Sequence, residues 1–287
     1  MPRKSPRSRR KTDKTPKLPA APRVRSAPGQ SKTRESRAAH MLKGARGSAA
    51  TPPPKKSARA RLAPRSPRRA KFFEPDRVRV RAVLEALAEL YPDARCALDF
   101  TTPLQLLVAT ILSAQCTDER VNMVTPDLFA KYPDAAALAA ADQKDIERLV
   151  HSTGFFRNKA KSIISASADI VAKHAGQVPR TIEELTALRG VGRKTANVVL
   201  GNAYSITSGI VVDTHVTRVA RRLGLTDQVD AVKIELALMP LVPRESWTLF
   251  SHWLILHGRQ VCHARKPRCS TCPLSPHCPK IGVTAFQ

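Results

Sequence analysis

From about residue 75 onward the apolar residues of this chain recur at helical spacing, and almost nowhere do they alternate as a sheet requires. That pattern restricts the fold more than any other feature. "DRVRVRAVLEALAELYP" places Val80, Val83, Leu84, Leu87 and Leu90 on one helical face. "TPLQLLVATILSAQ" is apolar nearly all round, which predicts a helix buried in a core. Further amphipathic stretches lie near 119–131, 143–151, 157–173, 181–188, 193–204, 214–223, 229–240 and 245–260. Pro133, Gly154, Gly176 to Pro179, Gly190 to Gly192, Ser208 with Gly209, and Gly224 with Asp227 separate them. Only the short "GIVVDT" reads with period two. The expected fold is all-α, with ten or so short helices in two lobes. The intervals between breakers share no fixed length, which excludes a helical solenoid.

The first 70 residues have a different texture. They hold 22 Lys and Arg against Asp13 and Glu35, and so carry +20 of the chain's net +26. They also hold 11 of its 23 prolines and few large apolar residues, too little apolar surface to offset chain entropy. Residues 1–72 therefore read as a disordered basic tail attracted to a polyanion such as nucleic acid, and 73–287 as the folded domain. An Arg-rich, acid-poor leader also suits an organellar targeting segment, and Met41 is an alternative start. No apolar run reaches the roughly 18 residues of a membrane span, and no signal-peptide core is present. The expectation is a soluble protein without a membrane partner.

"ALRGVGRKTANVVL", residues 187–200, turns on two glycines and places two cations directly behind them. A phosphate-binding P-loop aligned on Lys194 demands glycine at 188 and 193, where this chain has Leu188 and Arg193. The segment reads instead as a helix–hairpin–helix: helix 181–188, turn 189–192, helix 193–204. Glycine at 190 and 192 permits positive φ and close approach of another backbone, and the free N–H groups at the next helix start face an anion. Arg193 and Lys194 reverse the usual preference for acids at a helix start, as a phosphate partner would require. Gly190 as an ordinary helix C-cap explains part of the same pattern.

Cys262, Cys269, Cys272 and Cys278 follow a C-x6-C-x2-C-x5-C spacing. Four cysteines within 17 residues of a chain lacking a secretory signal predict a metal site, not disulfides. Zinc and an iron–sulfur cluster both accept four thiolates, and spacing alone leaves both open.

Taken together, "LRGVGRKTANVVL", "VVDTHVTRVARRLGL" and the 6-2-5 cysteine spacing resemble the endonuclease III family of DNA repair glycosylases, over residues 75 to 280 or so. The resemblance implies a 4Fe-4S cluster on the four cysteines, in a loop spanning 262–278 whose Arg265, Lys266 and Arg268 clamp backbone phosphates. It implies a monomer that excises oxidised pyrimidines from double-stranded DNA and cleaves abasic sites. Lys194 then matches the nucleophile, whose uncharged amine attacks C1′ and leaves a Schiff base. Asp213 matches an aspartate that supports base departure, electrostatically or as a base, and it also suits an N-cap. Gly190, Gly192 and Arg193 match the DNA-binding hairpin, with Arg189 where relatives usually have proline.

Base excision requires the nucleotide to leave the stack. Gln115 and Asp118 in "SAQCTD", and Phe155 in "GFFRNKA", match the family positions that fill the gap or face the lesion, with Phe155 replacing the usual leucine. Gln115 also reads as a polar helix end, Asp118 as a helix-start acid and Phe155 as a packed aromatic. Two rival functions remain: a monofunctional or mismatch-specific relative, which Lys194 argues against, and a non-catalytic DNA-binding protein. A bacterial host implies a cytoplasmic, nucleoid-associated enzyme; a targeting leader would send it to an organelle or nucleus.

Overall fold

Eleven α-helices and three single 3-10 turns make up the described residues, 75–287 of the computed structural model. The tail expected over 1–72 lies outside the described residues. In chain order the helices are α1 (Arg77–Leu90), α2 (Pro103–Leu112), α3 (Asp118–Lys131), α4 (Ala135–Ala139), α5 (Gln143–Val150), α6 (Phe156–His174), α7 (Ile182–Ala187), α8 (Arg193–Ala203), α9 (Thr214–Arg222), α10 (Ala231–Leu238) and α11 (Trp247–Gln260).

Local chemistry sets most of their starts. Asp76, Thr102, Thr117, Asp134, Asp142, Thr181, Asp213 and Asp230 each accept a hydrogen bond from a first-turn N–H. Pro103 sits at the first position of α2, where its missing N–H costs nothing. Helix α2 is buried from Leu106 through Leu112, as an all-apolar periphery requires. Pro126 lies inside α3 without ending it. The segment "GIVVDT" is extended coil leading into α9; strands are absent among the described residues.

Two cores divide these helices. One holds α2 to α8 and buries Leu106, Leu107, Leu112, Leu128, Ile146 and Ile163. The other holds α1 with α9 to α11 and buries Val83, Leu87, Val216, Ile234, Phe250 and Leu254. Each fully buried leucine or isoleucine contributes about 1.5–3 kcal/mol through area removed from water. Helix α1, first in the chain, thus belongs to the C-terminal lobe. Its Arg79 donates to the carbonyls of Leu223 (2.5 Å), Gly224 (2.8 Å) and His277 (3.2 Å). Helix α2 packs on α8 within the first lobe, and α8 touches α11 of the second.

Candidate active site and DNA interface

Helix α8 begins without a side-chain cap, so the N–H groups of its first turn are left for another partner. The hairpin before it is anchored by buried Leu185, Leu188 and Val191, while Gly190 and Gly192 are exposed. Val191 N–H donates to Leu188 O (3.2 Å) and closes the turn. Only Gly190 takes positive φ (+79°). Gly192 is extended at φ −94°, so of the two glycines only Gly190 uses the positive φ that both permit. The cap of α7 is Leu188, not Gly190.

Arg193 has a carboxylate partner within the fold. Its guanidinium pairs bidentately with Glu235 of α10, Nε at 2.7 Å and Nη2 at 3.0 Å, and the Glu235 side chain is only 4% exposed. Asn197 Nδ2 donates to the same carboxylate at 2.9 Å. The pair raises the guanidinium above its ordinary value through the hydrogen bond to Glu235, the largest of several effects. Arg193 therefore joins α8 to α10 and leaves the exposed face of the turn to backbone N–H groups.

One residue on, Lys194 is exposed and lines a cleft of about 110 Å³. Asp213 and Asp118 line the same cleft, so three sequence-predicted residues from α8, the α9 cap and α3 meet there. Asp213 Oδ1 accepts the Val216 N–H at 2.8 Å, so its cap role is real and fixes the carboxylate at the mouth of α9. Asp118 is held by Arg259 of α11 at 2.6 Å, an ion pair that crosses from one lobe to the other. Thr117, not Asp118, caps α3. A larger open hollow of about 750 Å³, beside Lys131, Asp145 and Phe156, contains neither Lys194 nor Asp213.

The wedge candidates stand outside this cleft. Gln115 is exposed at φ +53° in the turn between α2 and α3, whose Ser113 and Asp118 do reach the cleft wall. Phe155 is 63% exposed at φ +47°, immediately before α6. It is a large apolar side chain held in solvent by a backbone that non-glycine residues seldom adopt.

All four C-terminal cysteines line one small cavity of about 20 Å³ behind α9 and the end of α11. Two donors address their sulfurs, Arg222 Nη1 to Cys262 Sγ (3.4 Å) and Lys280 N–H to Cys278 Sγ (3.4 Å), and His257 Nε2 lies 3.6 Å from Cys272 Sγ. Burial pushes the Cys272 and Cys278 thiols above their ordinary range, and neighbouring thiolates add to it. Among the described residues no three His, Cys, Asp or Glu side chains close on a single ion. The donor set suits sulfurs that carry negative charge around a shared centre. Arg265, Lys266 and Arg268 are exposed on the loop between the first two cysteines.

Several cleft and support residues escaped the sequence reading. His252 lines the cleft, burial pushes it below the ordinary histidine value, and its Nε2 lies 2.8 Å from Asn202 Oδ1. Cys96 lines it as well, with burial pushing its thiol up. Arg259 acts through Asp118, and Glu235 through Arg193 and Asn197. The only local sign of Glu235 was an acid on the apolar side of "AVKIELAL".

Comparison with known proteins places relatives beside this chain. Residues 108–244 match the HhH-GPD superfamily base excision DNA repair protein family. The chain is similar to the endonuclease III of Synechocystis sp., 58% identical over 206 residues, covering 72% of this chain and 94% of the relative. It is also similar to two solved structures: a non-covalent endonuclease III–DNA complex and a trapped endonuclease III–DNA covalent intermediate. Each matches with TM-score 0.69 and 41% identity over 72% of this chain and 97% of the other.

Proposed function

The chain belongs to the endonuclease III family of base excision DNA repair proteins, and on that premise we propose that it is a DNA glycosylase with AP lyase activity. Its substrate is double-stranded DNA bearing oxidised pyrimidines or abasic sites. The observation that carries the reading is the meeting of Lys194 and Asp213 in one cleft, at the start of two helices 19 residues apart in sequence.

In this reaction the uncharged Lys194 Nζ attacks C1′, and the C1′–base bond breaks with its electron pair leaving on the base. The Asp213 carboxylate opposes the positive charge that develops at C1′, and its bond to the Val216 N–H holds it in place for that task. Ring opening gives an imine between Nζ and C1′. Removal of a C2′ proton then expels the 3′-phosphate by β-elimination, and water hydrolyses the imine to restore the lysine. Asp118, steadied by Arg259, forms part of the cleft wall three residues from Gln115.

The uncapped start of α8 and the exposed turn at Gly190 and Gly192 suit a backbone phosphate, bound through N–H groups at the positive end of the helix dipole. Gln115 and Phe155, both exposed and both in left-handed backbone, serve as the groups that enter the duplex when the nucleotide leaves. Cys262, Cys269, Cys272 and Cys278 hold a 4Fe-4S cluster, which when bound cross-links the loop bearing Arg265, Lys266 and Arg268 for contact with phosphates. A basic tail over residues 1–72 adds salt-sensitive, sequence-independent DNA affinity. The enzyme works as a monomer, on the nucleoid in a bacterial host.

A borohydride trap tests the mechanism. Wild-type protein, a duplex containing one oxidised thymine and the reductant should give a covalent protein–DNA band, and Lys194→Ala should give none. Absence of the band in the wild type, on both the lesion and an abasic site, with binding and cluster absorbance intact, refutes the lyase reading.

A further inference from the structure

Lys159 is the one lysine buried in the core of the described residues, at 5% exposure. It lies in the first turns of α6, whose remaining buried residues are Ala160, Ile163, Ala166, Ser167 and Ile170. An ammonium in such surroundings demands close partners, because burial pulls its affinity for the proton below the ordinary lysine value. Its Nζ finds two. It donates to Leu112 O at 2.8 Å and to Thr153 O at 2.8 Å. Neither acceptor belongs to its own helix. Leu112 is the last residue of α2, three before Gln115; Thr153 is the last residue of a 3-10 turn, two before Phe155.

The two carbonyls therefore lead directly into the two segments that carry the exposed candidate wedges. Both wedges sit at positive φ, +53° for Gln115 and +47° for Phe155, a region that persists in non-glycine residues only where surroundings impose it. Phe155 precedes α6 without a side-chain cap, and its carbonyl accepts the N–H groups of Asn158 and Lys159 at 3.1 Å each. Further packing comes from the next residue: Phe156 stacks on His151 at 4.4 Å between ring centroids.

From this geometry we infer that Lys159 is a positioning residue for nucleotide extrusion: its ammonium ties the Gln115 turn to the Phe155 loop, so that both wedges meet the duplex as one preset unit. The inference rests on the wedge reading of Gln115 and Phe155 given above. Lys159 touches neither substrate nor the reacting atoms; it acts through the two backbones it bonds. Loss of the clamp leaves the cleft chemistry of Lys194 and Asp213 in place but lets the wedges drift relative to each other. Misplacement of this kind costs up to about 100-fold in rate. The loss should fall on substrates whose base must first be unstacked, and spare those already base-free, because an unpaired or missing base lowers the extrusion cost.

The test compares two single-turnover rates in one preparation of full-length, cluster-loaded protein: base release from a duplex with one paired oxidised thymine, and strand cleavage at an abasic site. Their ratio does not depend on the fraction of active enzyme. Lys159→Met, which keeps the stem and removes the donors, should lower the ratio about 10- to 100-fold. Placing the oxidised thymine opposite a gap should restore base release most of the way. Lys159→Gln, which retains an amide donor, should fall between the two, and it serves as the test variant if Lys159→Met does not fold.

Phe155→Ala and Gln115→Ala run alongside. If they lower the ratio and the Lys159 variants leave it within about threefold of wild type, a scatter too small to signal lost orientation, the clamp is refuted. If Phe155→Ala and Gln115→Ala themselves leave it unchanged, the wedge reading fails first.

Discussion

A single methyl group at Gly190 should separate the architecture of the hairpin from its chemistry. Gly190 has φ +79°, and a Cβ built there meets Ser162 Cβ and Oγ at 2.7 Å, with Ser162 Cα behind at 3.9 Å. Carbon atoms settle at about 3.5–4.0 Å, so either the hairpin or α6 must move. Holding alanine in the left-handed region costs about 1–2 kcal/mol. Overpacking against a side chain whose Cβ is fixed to a helix adds about 1–3 kcal/mol. The lower entropy of the unfolded alanine chain returns about 0.4–1 kcal/mol. Gly190→Ala should therefore destabilise by about 1–4.6 kcal/mol, which for about 200 residues is a fall of roughly 2–18 °C in Tm. Urea unfolding measures the first quantity and scanning calorimetry the second. In a Ser162→Gly background the steric part should vanish, leaving a coupling of about 1–3 kcal/mol between the two positions.

Gly192 provides the contrast. Its φ is −94° and nothing lies within 4 Å of an added Cβ. Gly192→Ala should stay within about 0.5 kcal/mol of wild type, while an added methyl on the exposed turn should weaken DNA binding at least about tenfold if a phosphate closes on its N–H. The reasoning is refuted if Gly190→Ala unfolds like wild type, or if its deficit is unchanged by Ser162→Gly. Wild-type DNA affinity in Gly192→Ala would move the phosphate site off this turn.

Asp213→Asn should keep the α9 cap, since asparagine caps as well as aspartate, yet lose base release by at least about 100-fold; Asp213→Ala should lose about 1 kcal/mol of stability in addition. Glu235→Ala should cost about 1–3 kcal/mol in urea unfolding, below the usual figure for breaking a buried pair because the freed Arg193, 37% exposed, can hydrate. Asp145 is held down to about 2 by hydrogen bonds from the Lys131 ammonium first and the Tyr132 phenol second. Its stabilisation should be complete above the ordinary value of 3.8 and fade as pH falls toward about 2, so Asp145→Asn should flatten the acid limb of a stability–pH profile.

The helices were legible because helix formation is local. Period, caps and breakers all act within about four residues, and eight of the eleven helices begin on an Asp or Thr whose side chain accepts a first-turn N–H. The exceptions are informative too. Helix α4, five residues of "AAALA" after Asp134, was too short to show a period, and Pro126 was carried inside α3 by the packing of Val121, Thr125 and Leu128. At the candidate site, Lys194, Asp213 and the four cysteines were legible because their spacing along the chain is itself the motif.

By itself, then, the sequence determined an all-helical domain from about residue 75, the place of the hairpin, and which residues could supply an amine, a carboxylate and four thiols. Tertiary structure decided where those groups point. It gave Gly190, and not Gly192, both a positive φ and a close approach to α6 at Ser162. It turned Arg193 onto Glu235, 42 residues away, steadied Asp118 with Arg259, 141 away, and sent α1 to the far lobe. It also buried Lys159 between two loops, where its bond to Leu112 spans 47 residues. No periodicity encodes such pairings. A side chain's partner across the fold is set by how the helices pack, and packing is a property of the whole core, not of any window of sequence.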